Sequence, residues 1–171
     1  MPTETLIERF SACRILVVGD LMLDQYIWGA VERISPEAPV QVVAVTREDE
    51  TLGGAGNVVN NLVALGARVV MAGVVGPDSA GRRLMARLNQ IGVKTDGIMI
   101  DPSRPTTRKT RIIAANQHVL RIDREARQVI DARAHVAIDH YITSTLTDID
   151  LVIVSDYGKG VVTPALLATI F

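Results

Sequence analysis

An α/β fold follows from three observations along the chain. Three short apolar runs, "RILVVGD" (14–20), "ARVVMAGVVG" (67–76) and "DLVIVSD" (150–156), read as strands buried on both faces. Segments with helical periodicity separate them, the pattern of a mostly parallel sheet flanked by helices. Two pairs of polar, alternating segments interrupt that pattern and predict inserted β-strands.

In chain order, 14–20 is the first buried strand, rich in β-branched residues and closed by Gly-Asp. "DQYIWGAVERI" (24–34) and "VQVVAVTRED" (40–49) read as strands, and the two prolines of "SPEAP" block regular structure between them. Residues 55–65 predict a helix that Gly66 stops. After the second buried strand, "DSAGRRLMARLNQIG" (78–92) predicts a helix with a capping start and a glycine end. "VKTDGIMI" (93–100) predicts a strand. "TTRKTRIIAA" (106–115) and "HVLRID" (118–123) predict a hairpin turning at Asn116-Gln117. Residues 131–147 predict a helix, 150–156 the third buried strand, and Pro164 opens a last helix at a first-turn position. The inserted strands, about 24–49 and 106–123, suit a lid or a contact between subunits. The last helix has only about two turns before Phe171, too few to stand without neighbours, so residues 1–171 are expected to be part of a longer domain.

Composition narrows the classes of function. The 171 residues suit one domain or a part of one, and 48% of them are hydrophobic, enough for a core. Lys and Arg number 18 against 19 Asp and Glu, which argues against a general nucleic-acid binder. The single Cys13 excludes an internal disulfide framework and suits a reducing cytoplasm, where it is expected as a small buried side chain. "MPTETLIERFSAC" is unlike a signal peptide, and no apolar run approaches the roughly 18 residues of a membrane span. A cytoplasmic protein that binds no membrane is expected. His135 and His140 share a helix without a third ligand, so no metal site is expected there.

The stretch "LGGAGNVVNNLVALGA" (52–67) carries the first functional signal. It is not a dinucleotide fingerprint, because Val59 stands where the third glycine belongs and the preceding "TREDET" is polar. A Walker-type loop is absent throughout. At 100° per residue Asn57, Asn60 and Asn61 share about a third of the helix circumference, with Val58, Val59, Leu62, Val63 and Leu65 opposite. Asparagine is a poor mid-helix residue, so this face suits hydrogen bonding to a polyhydroxylated ligand or to another loop. The plainer alternative makes Asn57 a cap and leaves the other two solvated.

Other candidates cluster at strand ends. Asp24 closes "GDLMLD" just past the first strand, the edge at which open α/β sheets bind ligands, and a carboxylate accepts from two hydroxyls at once. Its alternative is a turn aspartate, and Asp20 is expected to be structural. In "TTRKTRII" the period of two places Lys109 and Arg111 on one face with Thr107, a pair suited to a phosphate, or else ordinary surface charge. "SDYGKG" follows a buried strand, so Asp156 and Lys159 are candidates for contacts with phosphate or ATP, or else parts of a simple turn. Tyr26 and Trp28 alternate on an inserted strand and suit either a cover over a ligand or a dimer contact.

"GGAGNVVNNLVALGARVVMAGVVG" resembles the first signature of the ribokinase-like (PfkB) sugar kinases, with Gly53, Gly54, Asn57, Gly66 and Gly76 in place and Val59 where a small Ser, Thr or Ala is usual. "VVGDLMLDQYIWGAVERISPEAPVQVV", "TTRKTRIIAANQHVLRID" and "SDYGKG" narrow it to the heptose-7-phosphate kinase domains of the bacterial ADP-heptose pathway. The resemblance runs from about residue 12 to about residue 163. It implies a ribokinase-like fold in which Asp24, Gly53, Gly54 and Asn57 hold a sugar and Lys109 and Arg111 meet its phosphate. It implies phosphorylation of the anomeric hydroxyl of D-glycero-β-D-manno-heptose 7-phosphate by Mg2+-ATP, a precursor step for the lipopolysaccharide core. It implies a homodimer through the lid strands, and in some members a fused adenylyltransferase. The family's Gly-Ala-Gly-Asp turn with its catalytic base does not occur in these 171 residues. The ATP-binding part is expected beyond residue 171, and residues 1–171 alone are expected to be inactive. The competing expectations are a non-catalytic relative that binds sugar phosphate or dimerises, and a PfkB-type kinase for another sugar.

Overall fold

The central strand of the main sheet is β1 (Arg14–Gly19). The structure is a computed structural model that describes residues 7–171; the first half of the stretch read as unlike a signal peptide lies outside the described residues. β1 pairs in parallel with β4 (Arg68–Val75) on one side and β8 (Leu151–Ser155) on the other. β5 (Ile98–Ile100) extends the sheet beyond β4, again in parallel, giving the order β5-β4-β1-β8.

The apolar runs explain the layers. Side chains of β1 alternate between two cores, because the strand period is two. Ile15 and Val17 pack with Val59 and Leu62 of α1 (Ala55–Ala64) and with Leu84 and Leu88 of α2 (Ser79–Gln90). Leu16 and Val18 face the other way, onto Ile138 and Ile142 of α3 (Ala132–Thr145) and Leu166 of α4 (Pro164–Ile170). Two helices therefore cover each face of a parallel sheet, as the sequence pattern predicts.

The inserted strands form a single sheet. β2 (Leu21–Ile34) is antiparallel to β3 (Gln41–Gly54), and β6 (Thr107–Ala114) is antiparallel to β7 (Gln117–Arg124). β2 and β6 then pair in parallel, giving the order β3-β2-β6-β7. Asp20 alone separates β1 from β2.

Several boundaries differ from expectation. β2 starts at Leu21 rather than at 24, because Leu21, Met22 and Leu23 belong to the core and carry no alternation. The strand expected over 93–100 shrinks to Ile98–Ile100, since the amides of Gly92 and Val93 turn back onto Asn89 and Leu88. The hairpin turns at Ala115-Asn116, with φ of 48° and 61°, one residue before the expected pair. The helix expected to reach 147 ends at Thr145 and tightens into a 3-10 turn over Leu146–Asp148. Cys13 is half-buried, with its Sγ 3.4 Å from the Arg9 carbonyl.

Candidate functional site

The site grows from Asp20 and Asp24, which bracket the passage from one sheet to the other. Asp20 is 1% exposed, so its carboxylate needs partners. It finds them in the turn after β8. Oδ2 accepts from the amides of Tyr157 at 2.8 Å and Lys159 at 3.1 Å, and Oδ1 from Val161 at 3.2 Å. Its backbone carbonyl accepts from Ala55 at the start of α1. Asp20 thus ties together β1, the glycine turn and the "SDYGKG" turn, the structural role expected of it.

Asp24 faces the same side of the second sheet as Lys109, its register partner on β6. Its Oδ1 accepts from Arg111 Nη1 at 2.5 Å. The bond donated to Asp24 holds the Arg111 guanidinium above its ordinary pKa, with burial opposing. A Cβ added at Gly53 would fall on the Asp24 carboxylate, so only glycine permits this approach. Gly54 follows at φ 54°, outside the range of ordinary side chains, and occupies the N-cap of α1 without a side-chain bond.

A ladder of rings and cations continues from this pair. Arg111 lies over the Tyr26 ring at 5.2 Å, Tyr26 stacks on Trp28 at 5.5 Å, and Arg47 covers Trp28 at 3.8 Å. These contacts fix the Arg111 head between a carboxylate and a ring.

Lys109 meets Asp123 Oδ2 at 3.2 Å and Glu125 Oε2 at 3.6 Å. Lys159 reaches the same Glu125 oxygen at 2.9 Å. The Lys159 ammonium is the largest cause that holds the Glu125 carboxyl below its ordinary value; burial opposes, and Arg127 and Lys109 add to the lowering. Burial pushes the Asp123 carboxyl up, but bonds from Arg121 and Lys109 outweigh it and hold it low.

The backbone of Lys159 is pinned on both sides. Its amide donates to Asp20, and its carbonyl accepts from Arg104 Nη1 at 2.7 Å. Arg104, itself buried, also donates to the Gln128 carbonyl and lies 3.3 Å from Asp101. Asp101 in turn accepts from the Ser103 amide and hydroxyl and from the Asp131 amide.

The structure therefore brings Asp24, Gly53, Gly54, Lys109, Arg111 and Lys159 into one connected group. Asn57 and Asp156 are not bonded into it. Asn57 is exposed and, with Asn60, lines a cleft shared with Glu50, Thr51, Arg87 and Gln90. Asp156 is exposed and accepts from the Gly158 amide at 2.8 Å. Among the described residues no three His, Cys, Asp or Glu side chains gather as a metal site.

Sequence reasoning missed Glu125, Asp123 and Arg104. The alternating charges of "RIDREAR" marked the first two, and the i, i+3 spacing of Asp101 and Arg104 beside prolines marked the third. What the group can do follows from its charges. A carboxylate beside a bare glycine backbone accepts hydroxyls, and several oriented cations accept an anion.

Residues 13–170 match the family described as pfkB family carbohydrate kinase. The chain is 55% identical to the bifunctional protein HldE of Desulfatibacillum aliphaticivorans, covering 98% of this chain and 35% of that protein. It is 56% identical to the bifunctional protein HldE of Wolinella succinogenes, over 91% of this chain and 33% of that protein. The chain thus spans about a third of the length of these relatives. A carbohydrate kinase from Agrobacterium tumefaciens superposes with a TM-score of 0.60 at 21% identity, over 83% of this chain and 45% of that one. The ribokinase of Cryptococcus neoformans, solved in complex with ADP, superposes with a TM-score of 0.50 at 23% identity, over 65% of this chain and 34% of that one. These two likenesses establish the ribokinase-like fold.

Proposed function

Because the chain belongs to the pfkB family of carbohydrate kinases, we propose that it forms the sugar-binding part of a heptose-phosphate kinase. The substrate in this reading is D-glycero-β-D-manno-heptose 7-phosphate. Its anomeric hydroxyl displaces ADP from the γ-phosphorus of ATP, giving heptose 1,7-bisphosphate for ADP-heptose and the lipopolysaccharide core. ATP and Mg2+ supply the transferred phosphoryl group and its charge neutralisation. They enter by family membership.

One observation carries the reading. Asp24, set on the glycine turn, is bonded to Arg111 and adjoins Lys109, so acceptors for hydroxyls and donors for a phosphate share one face. In this reading Asp24 accepts two sugar hydroxyls and orients the ring. Lys109 and Arg111 receive the 7-phosphate, with Arg111 held rigid against Tyr26. Asn57 serves the sugar from the first turn of α1, and Asp156 and Lys159 approach phosphate or ATP from the turn after β8. The second sheet acts as a lid and as the contact in a homodimer. The names of the relatives support a second activity fused to the kinase, read here as an adenylyltransferase, and the protein works in the cytoplasm.

The test is calorimetric binding of heptose 7-phosphate and of unphosphorylated heptose. Lys109→Ala is expected to weaken the phosphorylated sugar about tenfold or more and to leave the unphosphorylated one nearly unchanged, whereas Arg111→Ala, which also frees Asp24, is expected to weaken both. Unchanged binding of the phosphorylated sugar would favour a pfkB kinase for a different substrate. Residues 1–171 contain no Gly-Ala-Gly-Asp turn, and no ADP release is expected from them; robust turnover by this chain would refute that.

A further inference from the structure

Among the described residues, Glu125 is the one carboxylate paired with both a cation of the second sheet and a cation of the turn after β8. Lys109 comes from β6, and Lys159 from the turn after β8. Both ammonium groups meet a single oxygen, Oε2, at 3.6 and 2.9 Å. The side chains of Glu125 and Lys159 are only 12% and 10% exposed, so this charge contact is poorly screened by water.

The charges around it do not balance. Lys109, Arg111, Arg121, Arg127 and Lys159 are linked by ion pairs to only three carboxylates, Asp24, Asp123 and Glu125. The surplus of two lies on Arg121 and Arg127, which are 55% and 77% exposed and so screened by water, while Lys109 and Lys159 face Asp123 and Glu125. A phosphomonoester carries about −1.5 to −2 near neutral pH and its three oxygens serve several donors at once, so it can replace a single carboxylate between two ammonium groups.

The two sides of the contact also differ in how they are held. Lys159 is anchored through its own amide and carbonyl by Asp20 and Arg104, two buried side chains. Glu125 stands one residue past the end of β7, in irregular backbone. Lys159 is thus held through its backbone, and Glu125 by side-chain ion pairs with Lys109, Arg127 and Lys159.

We propose that the Glu125 carboxylate occupies the seat of the substrate's phosphate between Lys109 and Lys159, and that a phosphorylated ligand binds by displacing it. The proposal rests on the phosphosugar reading above and adds to it an internal competitor. Glu125 spares two neighbouring ammonium groups an uncompensated repulsion while no ligand is bound. It lowers the affinity for phosphate by the cost of its own displacement.

The consequence has a sign opposite to that of a structural brace. Glu125→Gln keeps the shape and removes the competing charge. The variant is expected to bind heptose 7-phosphate and inorganic phosphate about tenfold more tightly, with unphosphorylated heptose unchanged. Glu125→Asp, which retracts the charge by one methylene, is expected to fall between the two and serves if the first variant melts early. Adding Lys159→Met to Glu125→Gln is expected to abolish the gain. Calorimetry on this chain reads all of these, with a thermal melt confirming the fold. Phosphate binding that is unchanged or weaker in a folded Glu125→Gln overturns the proposal. Tightened inorganic phosphate with no binding of heptose 7-phosphate to any variant rejects the substrate reading and leaves the exchange standing.

Discussion

Asp20 shows how much one buried side chain can organise. Its two oxygens satisfy three amides of the turn that carries Lys159. Asp20→Ala leaves those amides without acceptors and is expected to destabilise the chain by about 3 kcal/mol, read by urea denaturation. The turn holding Lys159 should loosen as well, so phosphate affinity should fall with stability. Gly53 lies between the Asp24 carboxylate and the core. A methyl group there falls on the Asp24 carboxylate and also crowds Met22 Cγ, a buried side chain, at 2.9 Å. Gly53→Ala is expected to break the Asp24–Arg111 bond and lower sugar affinity about tenfold or more, and to lower the melting temperature as well, so affinity is read below the transition. A wild-type affinity in that variant would remove Asp24 from the sugar site.

At the scale of elements, the parallel pairing of β2 with β6 is the decisive join. It converts two hairpins into one sheet and sets Asp24 beside Lys109 and Tyr26 beside Arg111. Proline cannot donate to a ladder, so Thr110→Pro in this interior strand is expected to disrupt the second sheet. Trp28 is the only tryptophan, and it is half-buried between Tyr26 and Arg47. Its emission should shift to the red in that variant, and an unchanged spectrum would show that the join tolerates the loss. The loop between β5 and β6 has an equivalent tie in Arg104, whose guanidinium joins it to Lys159 and Gln128. Arg104→Ala leaves Asp101 buried without its ion-pair partner and is expected to cost about 3–5 kcal/mol.

For the molecule as a whole, several carboxylates with lowered pKa values set the response to acid. Burial pushes the Asp101 carboxyl up, but bonds from Ser103 and Asp131 and the charge of Arg104 bring it below its ordinary 3.8. Asp78, which caps α2 and binds the Thr106 amide, is likewise raised by burial and lowered further by its bonds. Asp123 and Glu125 are also lowered. In each case the unfolded chain holds more protons just below the ordinary value, so stability rises with pH there. The contribution is complete above the ordinary values of 3.8 for Asp and 4.5 for Glu, and it disappears as pH falls through the lowered ones. Urea melts from pH 6 down to about pH 2.5 should show this loss. Asp101→Asn should be less stable at neutral pH and show a shallower acid slope.

The sequence by itself determined the layers of the main sheet. Short apolar runs can satisfy their backbone and bury both faces only as interior strands, and the helices between them have one apolar side each. It also marked the glycine turn, Asp24, and the common face of Lys109 and Arg111, because glycine freedom and a period of two are local properties. Tertiary structure decided which of these meet. No local rule pairs β2 with β6 across more than eighty residues, and none brings Lys159 to Glu125. Those contacts come from long-range packing, in which Asp20 and Arg104 fix the turn after β8 against the start of the second sheet. The same packing left Asn57 in a cleft of its own and made Asp156 a turn residue. A helix face or a strand end tells where a side chain points along its element; the partner it meets depends on how the elements pack.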